Sequence, residues 1–474
     1  MNANANDATS AGDWSGAKVA PRHKGAPLVG ILPEIRKDVL GTLRKLVAEH
    51  REVAGFMFGP RLAHMALHPD AVKRVLQDNV TNYTKDHFSY AMLRWLIPDS
   101  LLTADGETWL RQRRLAQPAF HRQRIAQMSA GMAEAAREVA AQWSERASRG
   151  ESVDVPSEMM RLTLTIVSRA LFSTGVSESE VRAVDVSFGT INHQLTERLR
   201  RLQVLPPVLP TRADREWRVS KRALYEVVDA IIARRRAEGR DRGDLLSMLM
   251  LAQDEETGER MNDTQLRGEV LTMLIAGHET TATLLGWTWT MLAKHPEVEA
   301  KLHAELEAQL GGRDPSMEDL AKLPYARMIL EETMRLYPPV IVLGRKVVKD
   351  DVVMGYRIPK GTWMDVSPFA THRHPDFWPD PERFDPERFN AEQSKGRPRY
   401  AYFPFSGGPR QCIGNTFALV EAQLVLCTLA QRFRLSLPKG AVVGHESLIT
   451  LRPVLPPMSL EARSGRLSNG TSPA

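Results

Sequence analysis

Residues 403–414 read FPFSGGPRQCIG, a loop rich in glycine and proline that leads into a long apolar segment beginning near Asn415. Cys412 is therefore predicted to lie at or just before the N-terminus of a helix. Unpaired backbone N–H groups and the helix dipole favour the thiolate form of a cysteine at such a position. Arg410 adds positive charge nearby, so the segment indicates a thiolate and not a merely buried thiol.

The second cysteine has different surroundings. Most lone cysteines are small buried apolar residues, and Cys427, which lies among leucine and alanine in the same predicted helix, fits that description. The helical spacing separates it from Cys412 by roughly 22 Å, which is far beyond disulfide reach. Two cysteines are also too few for a four-cysteine zinc site. We expect two free thiols, as suits a reducing cytoplasm.

The composition excludes several classes of protein. Of the 474 residues, 43% are hydrophobic and 25% are charged, which is typical of soluble globular chains and unlike collagen, disordered or membrane-embedded ones. No segment approaches the run of about 18 apolar residues that a transmembrane helix needs, and the N-terminus lacks the apolar core of a signal peptide. We therefore expect a soluble, cytoplasmic protein without a membrane anchor.

The net charge of +6 does not indicate a nucleic-acid partner, because the basic residues are scattered among 57 acidic ones. The run Arg234–Arg236 is interpreted as a solvated helix face, with an acidic protein partner as the alternative.

Proline and glycine punctuate the chain locally, without a linker long enough to separate domains. We predict a flexible lead over residues 1–27, a single domain over 28–462 and a flexible tail over 463–474. Helical periodicity is present at about 129–148, 158–173, 217–237, 296–310 and 413–433. Short β-like runs are found at 53–58, 63–67, 347–353 and 362–366. The sequence thus predicts a large, mostly helical domain with a small sheet.

One predicted helix is unusually long. Asn262 and Gln265 form a plausible capping box, and no proline follows until Pro296, so the helix should cover 263–294 and be roughly 48 Å long. Residues 270–276 are apolar on all sides, which indicates burial.

A polar cluster follows at residues 278–281, and burial of such groups costs free energy unless they have partners. Either the helix surfaces briefly there, or these groups face an internal cavity. Gly277 could permit a local widening of the helix. The hydroxyl of Thr280 could donate to the carbonyl of Ala276 or to a bound molecule.

The pattern Phe405-x-x-Gly408-x-Arg410-x-Cys412-x-Gly414 resembles the haem-binding signature of the cytochrome P-450 family. The resemblance implies a mainly α fold with a small β subdomain, in which the long central helix lies over a buried haem. It also implies haem b as cofactor and Cys412 as the axial ligand of the iron, since thiolate ligation is known for that family.

Other segments agree with this resemblance in the family's order. Residues 276–281 (AGHETT) are similar to the oxygen-activation motif, in which Ala276 would contact the cofactor, Thr280 would deliver protons and Glu279 would relay them. Glu332-x-x-Arg335, completed by Arg388, is similar to the structural ion-pair network of the family. The same spacing at Glu158 and Arg161 is interpreted as a surface pair. The residues expected at the haem propionates are Trp109, Arg113, Arg345 and Arg410.

One departure lies at His374, where the family commonly has an acidic residue, and we interpret it as a surface-loop change. A zinc site at His372 and His374 is disfavoured because no third ligand is evident.

The resemblance implies a monooxygenase that uses O2 and electrons from NAD(P)H. Because the sequence ends soon after the resembling region, we expect a separate redox partner, either a ferredoxin with its reductase or a flavodoxin. The alternatives are a fatty-acid hydroxylase, or a peroxide-using or isomerising haem-thiolate enzyme that would not need the Glu279–Thr280 pair.

The candidate substrate-pocket residues are largely apolar, which is consistent with a hydrophobic substrate, although any one of them could equally be core. No basic residue stands out as an anchor for a carboxylate, so terpenoid, steroid or polyketide-like substrates are favoured. The residues expected to line the pocket are Phe88, Met92, Leu96, Met273, Val340, Ile341, Leu343 and Ile449.

Overall fold

The structure is a computed structural model that describes Trp14 and residues 16–173, 177–201, 206–254, 256–447 and 449–463. Within these residues the helices are α1 (Leu32–Lys37), α2 (Val39–His50), α3 (Pro69–Lys73), α4 (Phe88–Arg94), α5 (Gly106–Ala116), α6 (Arg122–Ser148), α7 (Val155–Phe172), α8 (Glu178–Arg201), α9 (Arg212–Glu238), α10 (Leu245–Leu251), α11 (Asp263–Lys294), α12 (Pro296–Leu310), α13 (Pro324–Leu336), α14 (Pro368–Thr371) and α15 (Asn415–Ala430). The strands are β1 (Lys18–Val19), β2 (Val53–Phe58), β3 (Arg61–Ala66), β4 (Tyr83–Thr84), β5 (Ser152–Val153), β6 (Leu343–Val347), β7 (Asp351–Val353), β8 (Tyr356–Ile358), β9 (Trp363–Val366), β10 (Phe433–Ser436), β11 (Gly444–Ser447), β12 (Leu451–Val454) and β13 (Met458–Ala462).

The first of two compact units contains the described residues up to Tyr90 together with Val342–Pro381 and Arg397–Gln411. Its main sheet has the strand order β2-β3-β9-β6-β4, and a smaller sheet has the order β1-β8-β7. Strands β2 and β3 form an antiparallel hairpin, whereas β3 and β9 pair in parallel. Apolar side chains from these strands, such as Val53, Met364 and Val366, form a buried core.

The second unit contains Ala91–Ile341, Glu382–Gly396 and the described residues from Cys412 onward. It is built around α11, which packs against α7, α13 and α15. Two small sheets belong to this unit, one with the order β10-β13-β5 and one formed by β11 and β12. The predicted class, mainly α with a small β part, is confirmed. The predicted domain boundaries 28–462 stay a prediction.

Helix α11 has the predicted bounds because its start and its end are both encoded locally. The Asn262 side chain accepts from the N–H of Gln265, and the Gln265 side chain accepts from the N–H of Asn262. Gly277 does not widen the helix, which stays α-helical throughout. A Cβ at Gly277 would lie 2.8 Å from Cγ2 of Val167 on α7. The glycine therefore permits close helix packing.

Three expectations need correction. The run 347–353 forms two strands, because the Asn82 side chain binds both backbone groups of Lys349 and interrupts the ladder. His374 does not lie in a surface loop: it is buried, and its Nε2 contacts the carbonyl of Arg51 at 2.8 Å. The flexible lead predicted for residues 1–27 is too long, because it includes β1, which pairs in parallel with β8. Residues 464–474 of the predicted tail lie outside the described residues.

None of the helices in the described ranges combines the length and the apolar character that a bilayer span requires.

Candidate functional site

Cys412 precedes α15, whose N-cap is Gly414. Its side chain is accessible, yet protein surrounds it densely enough that desolvation is the main influence on the thiol and raises its pKa. The backbone of Gly414 and the charge of Arg113 act in the opposite direction and lower the pKa. The other thiol, Cys427, is buried within α15, and both cysteines are free.

Helix α5 brings a cation and an indole to the neighbourhood of this thiol. Burial lowers the pKa of Arg113, and the charge of Cys412 raises it, so the two groups interact electrostatically. Trp109 lies one turn earlier on α5 and is buried. A cysteine sulfur, a guanidinium and an indole together suit a flat cofactor that carries both a metal ion and anionic groups.

The loop before Cys412 belongs to the first unit and is tightly packed. Gly408 has φ +65°, and a Cβ there would lie 1.9 Å from the carbonyl oxygen of Leu76. A Cβ at Gly407 would lie 2.4 Å from the ring of Tyr400. These two glycines are therefore required by contacts with the protein itself. Phe405 in the same loop is partly exposed.

Two arginines expected to bind anionic groups also lie in the first unit. Arg345 is 2% exposed, and its Nη1 donates to the Tyr90 hydroxyl at 2.9 Å and to the Gly344 carbonyl. Its Nε is buried and has no hydrogen-bond partner. Arg410 is partly buried and donates to the carbonyl of Tyr83 at 2.7 Å. A buried guanidinium with an unpartnered N–H fits a residue that binds an anionic cofactor group.

Helix α11 is buried along most of its length but has one accessible stripe. Ala276 is exposed and Thr280 is partly exposed, whereas His278, Glu279 and Thr281 are buried. The Thr280 hydroxyl donates to the carbonyl of Ala276 at 2.7 Å. The polar cluster therefore divides: Thr280 faces accessible space, and its polar neighbours point into protein.

Glu279 is held by side chains that the sequence did not suggest. Its Oε1 accepts from Asn192 of α8 at 3.0 Å and from the Thr450 hydroxyl at 2.7 Å. Arg452 of β12 donates to the same oxygen through Nε at 3.1 Å and Nη2 at 2.8 Å. These partners lie between 87 and 173 residues away, so no local signal identifies them. Glu279 is an ion-paired, hydrogen-bonded carboxylate.

The predicted ion-pair residues are brought together in the second unit. Arg335 donates to both carboxylate oxygens of Glu332, at 2.6 and 2.8 Å, and both side chains are fully buried. The N–H of Asp385 donates to Glu332 at 2.8 Å, and Nε of Arg388 lies 3.6 Å from the same carboxylate. Arg335 also donates to the carbonyl of Arg383, which ties the segment before Arg388 to α13.

The candidate substrate residues differ in exposure. In the first unit, Phe88 packs against the rings of Phe58 and Trp363, and Leu343 packs on the core, but both are partly exposed. In the second unit, the residues divide into a buried group and a partly exposed group. The buried residues are Met92, Leu96 and Met273, and the partly exposed residues are Val340, Ile341 and Ile449.

The model of the family described as Cytochrome P-450 matches residues 21–456. The chain belongs to the cytochrome P-450 family. It is therefore a haem-dependent monooxygenase, and the sequence prediction of family and enzyme class is confirmed. The family implies a redox partner, a hydrophobic substrate and O2.

Among curated cytochromes P-450, this chain is 36% identical to cyclooctat-9-en-7-ol 5-monooxygenase of Streptomyces melanosporofaciens, over 86% of this chain and 88% of that one. It is 32% identical to pentalenene oxygenase of Streptomyces avermitilis, over 90% of this chain and 93% of that one. Among solved structures, the haem domain of cytochrome P-450DA aligns with a TM-score of 0.86 at 29% identity, covering 95% of this chain and 99% of that one. The predicted cytochrome P-450 fold is thus confirmed.

Proposed function

We propose that this cytochrome P-450 inserts one oxygen atom from O2 into a cyclic terpenoid, by hydroxylation or epoxidation. Its 36% identical and 32% identical relatives are named for cyclooctat-9-en-7-ol and pentalenene. The similarity extends over most of each chain. This pair of relatives is the observation that carries the substrate class.

The cofactor is proposed to be haem b with Cys412 as its axial ligand. Arg113 and Trp109 from α5, together with Arg345 and Arg410, are proposed to bind the propionates. The unpartnered, buried Nε of Arg345 supports this role, because a buried N–H without an acceptor is costly. Phe405, Gly414 and Ala276 complete the proposed cofactor-binding set. When bound, the haem activates O2, and its thiolate ligand favours cleavage of the O–O bond.

Thr280 is proposed to hold a proton donor beside the bound O2. Its side chain lies on the accessible stripe of α11, and its hydroxyl proton is directed to the Ala276 carbonyl, which leaves its oxygen free to accept from a water molecule. The hydrogen bond to Ala276 would fix the rotamer of Thr280, and the hydroxyl oxygen would orient the water molecule. This positioning is the contribution of the chain to proton delivery.

Glu279 is proposed to relay protons only when Arg452 moves. Four hydrogen bonds converge on its Oε1, and the side chain is 1% exposed. The Arg452 side chain is 28% exposed, whereas that of Glu279 is 1% exposed. Arg452 is therefore the partner that can turn toward solvent. Its release would leave Oε1 of Glu279 free to accept a hydrogen bond from water.

The electrons are proposed to come from NAD(P)H through a ferredoxin and its reductase, with a flavodoxin as the alternative carrier. Arg122 and Arg124, at the start of α6, are exposed and could bind an acidic partner. Arg114 on α5 is not proposed for this role, because it is already paired with Asp254 and Glu256.

The test uses the purified, haem-loaded chain with a surrogate ferredoxin and reductase. Cyclic terpene hydrocarbons, their alcohols and long-chain fatty acids are compared by the change in haem spin state and by product analysis under isotope-labelled O2. We expect a spin-state change and a product with one labelled oxygen from a terpenoid. Preferential binding and oxidation of fatty acids would contradict the proposed substrate class.

A further inference from the structure

Two histidines and a glutamate meet on the first unit, in a cluster that belongs to neither the cofactor nor the substrate site. Nδ1 of His23 lies 3.4 Å from Oε2 of Glu49, and Nε2 of His50 lies 3.8 Å from the same oxygen. All three donor atoms lie within 4.8 Å of one another. We propose that His23, Glu49 and His50 form a binding site for a divalent transition-metal ion, with zinc as the preferred occupant.

The donor set and its spacing suit such an ion. Imidazole nitrogen and carboxylate oxygen bind zinc at about 2.0–2.2 Å, so tetrahedral donors lie roughly 3.3–3.5 Å apart. The observed separations of 3.4 and 3.8 Å require only a small side-chain adjustment. Two histidines and one carboxylate leave the fourth position to water, and the half-exposed Glu49 gives access to it.

The outer contacts also fit metal ligation. Nε2 of His23 lies 3.1 Å from both carboxylate oxygens of Glu34, so a proton on Nε2 leaves the lone pair of Nδ1 available to a metal ion. A carboxylate that accepts from the outer nitrogen of a histidine is the usual support of a metal ligand. Nε2 of His50 is buried and has no hydrogen-bond partner, and a bound cation would supply one.

The proposed site would join two separate segments of the first unit. His23 lies in the irregular segment after β1, where its N–H donates to the carbonyl of Gly55 at 2.8 Å. Glu49 and His50 form the end of α2. A shared ion would therefore fix the N-terminal segment on this helix. Without an ion, His23 contacts the carboxylates of Glu34 and Glu49 in this cluster.

The experiment measures zinc binding to the haem-loaded, full-length protein after chelator treatment, by competition with a chromophoric zinc indicator. We expect one zinc per chain. His50→Gln should abolish binding, and Glu34→Gln should weaken it roughly tenfold, because it removes only the support of His23. His445→Gln, which removes an exposed histidine of β11, is the matched control and should bind as the parent does.

A second measurement keeps the test decisive if His50→Gln folds poorly. Glu49→Gln keeps the shape of a half-exposed side chain, and it should lower zinc affinity at least about tenfold. Added zinc should raise the unfolding temperature of the parent and of His445→Gln but not of Glu49→Gln. Absence of stoichiometric zinc binding in the parent would overturn the proposal, and so would a zinc affinity in His50→Gln and Glu49→Gln equal to that of the parent. Neither result depends on the substrate of the enzyme.

Discussion

Arg452 donates two hydrogen bonds to one carboxylate oxygen of Glu279, from a strand that lies 173 residues further along the chain. Glu279 precedes Thr280, and Thr450, two residues before Arg452, donates to the same oxygen. The acid next to the candidate proton-delivery residue is therefore held by the C-terminal part of the chain, where Ile449 was predicted to contact substrate. A change in this segment on substrate binding would act directly on Glu279.

Arg452→Met should therefore impair both stability and coupling. The substitution leaves Glu279 buried with only neutral partners, and loss of hydrogen bonds to a charged group costs about 1.5–3 kcal/mol. We expect a lower free energy of unfolding, measured by denaturant unfolding. We also expect less product per NAD(P)H, measured by product analysis, because Arg452 would no longer control when Glu279 relays protons. Arg212→Met, which removes an arginine that is 93% exposed, is the control. Unchanged coupling in Arg452→Met would contradict a role for this pair in proton delivery.

Thr280→Ala should retain haem and substrate binding but release most reducing equivalents as hydrogen peroxide. Loss of a positioned proton donor should lower product per NAD(P)H at least about tenfold. The control is Thr290→Ala, because Thr290 makes the same hydroxyl-to-carbonyl bond on the same helix, at 2.7 Å, but is fully buried. Equal yields from the two variants would show that the hydroxyl of Thr280 has no special role.

Arg335→Leu should destabilise the protein strongly, because it leaves the carboxylate of Glu332 buried without its bidentate partner. Breaking such a buried pair costs about 3–5 kcal/mol. The matched control is Arg161→Leu, whose partner Glu158 has the same i,i+3 spacing and keeps Arg146. Since Arg161 is mostly exposed, its loss should cost less than about 1 kcal/mol. Similar unfolding free energies for the two variants would refute the structural role of the buried pair.

Asp365 should make stability depend on pH. Burial raises its pKa from 3.8 to about 7, although the charge of Arg345 lowers it. Between these values the folded state holds a proton that the unfolded state releases, so stability is lost as pH rises through this window. His87, 3.7 Å from Asp365, has a pKa lowered by burial to about 3 and does not titrate there.

Asp365→Asn should remove this dependence. As pH rises from 5 to 8, the variant should gain stability relative to the parent, because this range covers the upper part of the window from about 4 to about 7. The unfolding midpoint is measured at each pH. Asp376→Asn, at an exposed carboxylate, is the control and should follow the parent. A parallel pH profile for Asp365→Asn and the parent would contradict a raised pKa at Asp365.

Features encoded by neighbouring residues were predictable from the sequence. The capping box of Asn262 and Gln265 and the next proline, Pro296, set both ends of α11. The family signature around Cys412 identified the enzyme class. The prediction of one strand at 347–353 was wrong, because the Asn82 side chain interrupts it by binding the backbone of Lys349. Asn82 lies 267 residues away in the chain, so no local signal reveals this contact.

Features that depend on long-range packing were not predictable. The role of Gly277 was misinterpreted because Val167, which its missing Cβ accommodates, lies on another helix. Phe88 packs in an aromatic cluster with Phe58 and Trp363, which apolar character alone does not reveal, and its contact with substrate stays a prediction.

Ligation of the haem iron by Cys412 is the central claim, and the spectrum of the reduced carbon monoxide complex tests it most directly. The purified parent and Cys427→Ala should show the spectrum of a thiolate-ligated haem, since Cys427 is buried within α15. Cys412→Ser should lose that spectrum and the monooxygenase activity together. A parent protein that stays colourless after haem supplementation, or a Cys412→Ser variant that keeps the thiolate spectrum, would contradict the claim.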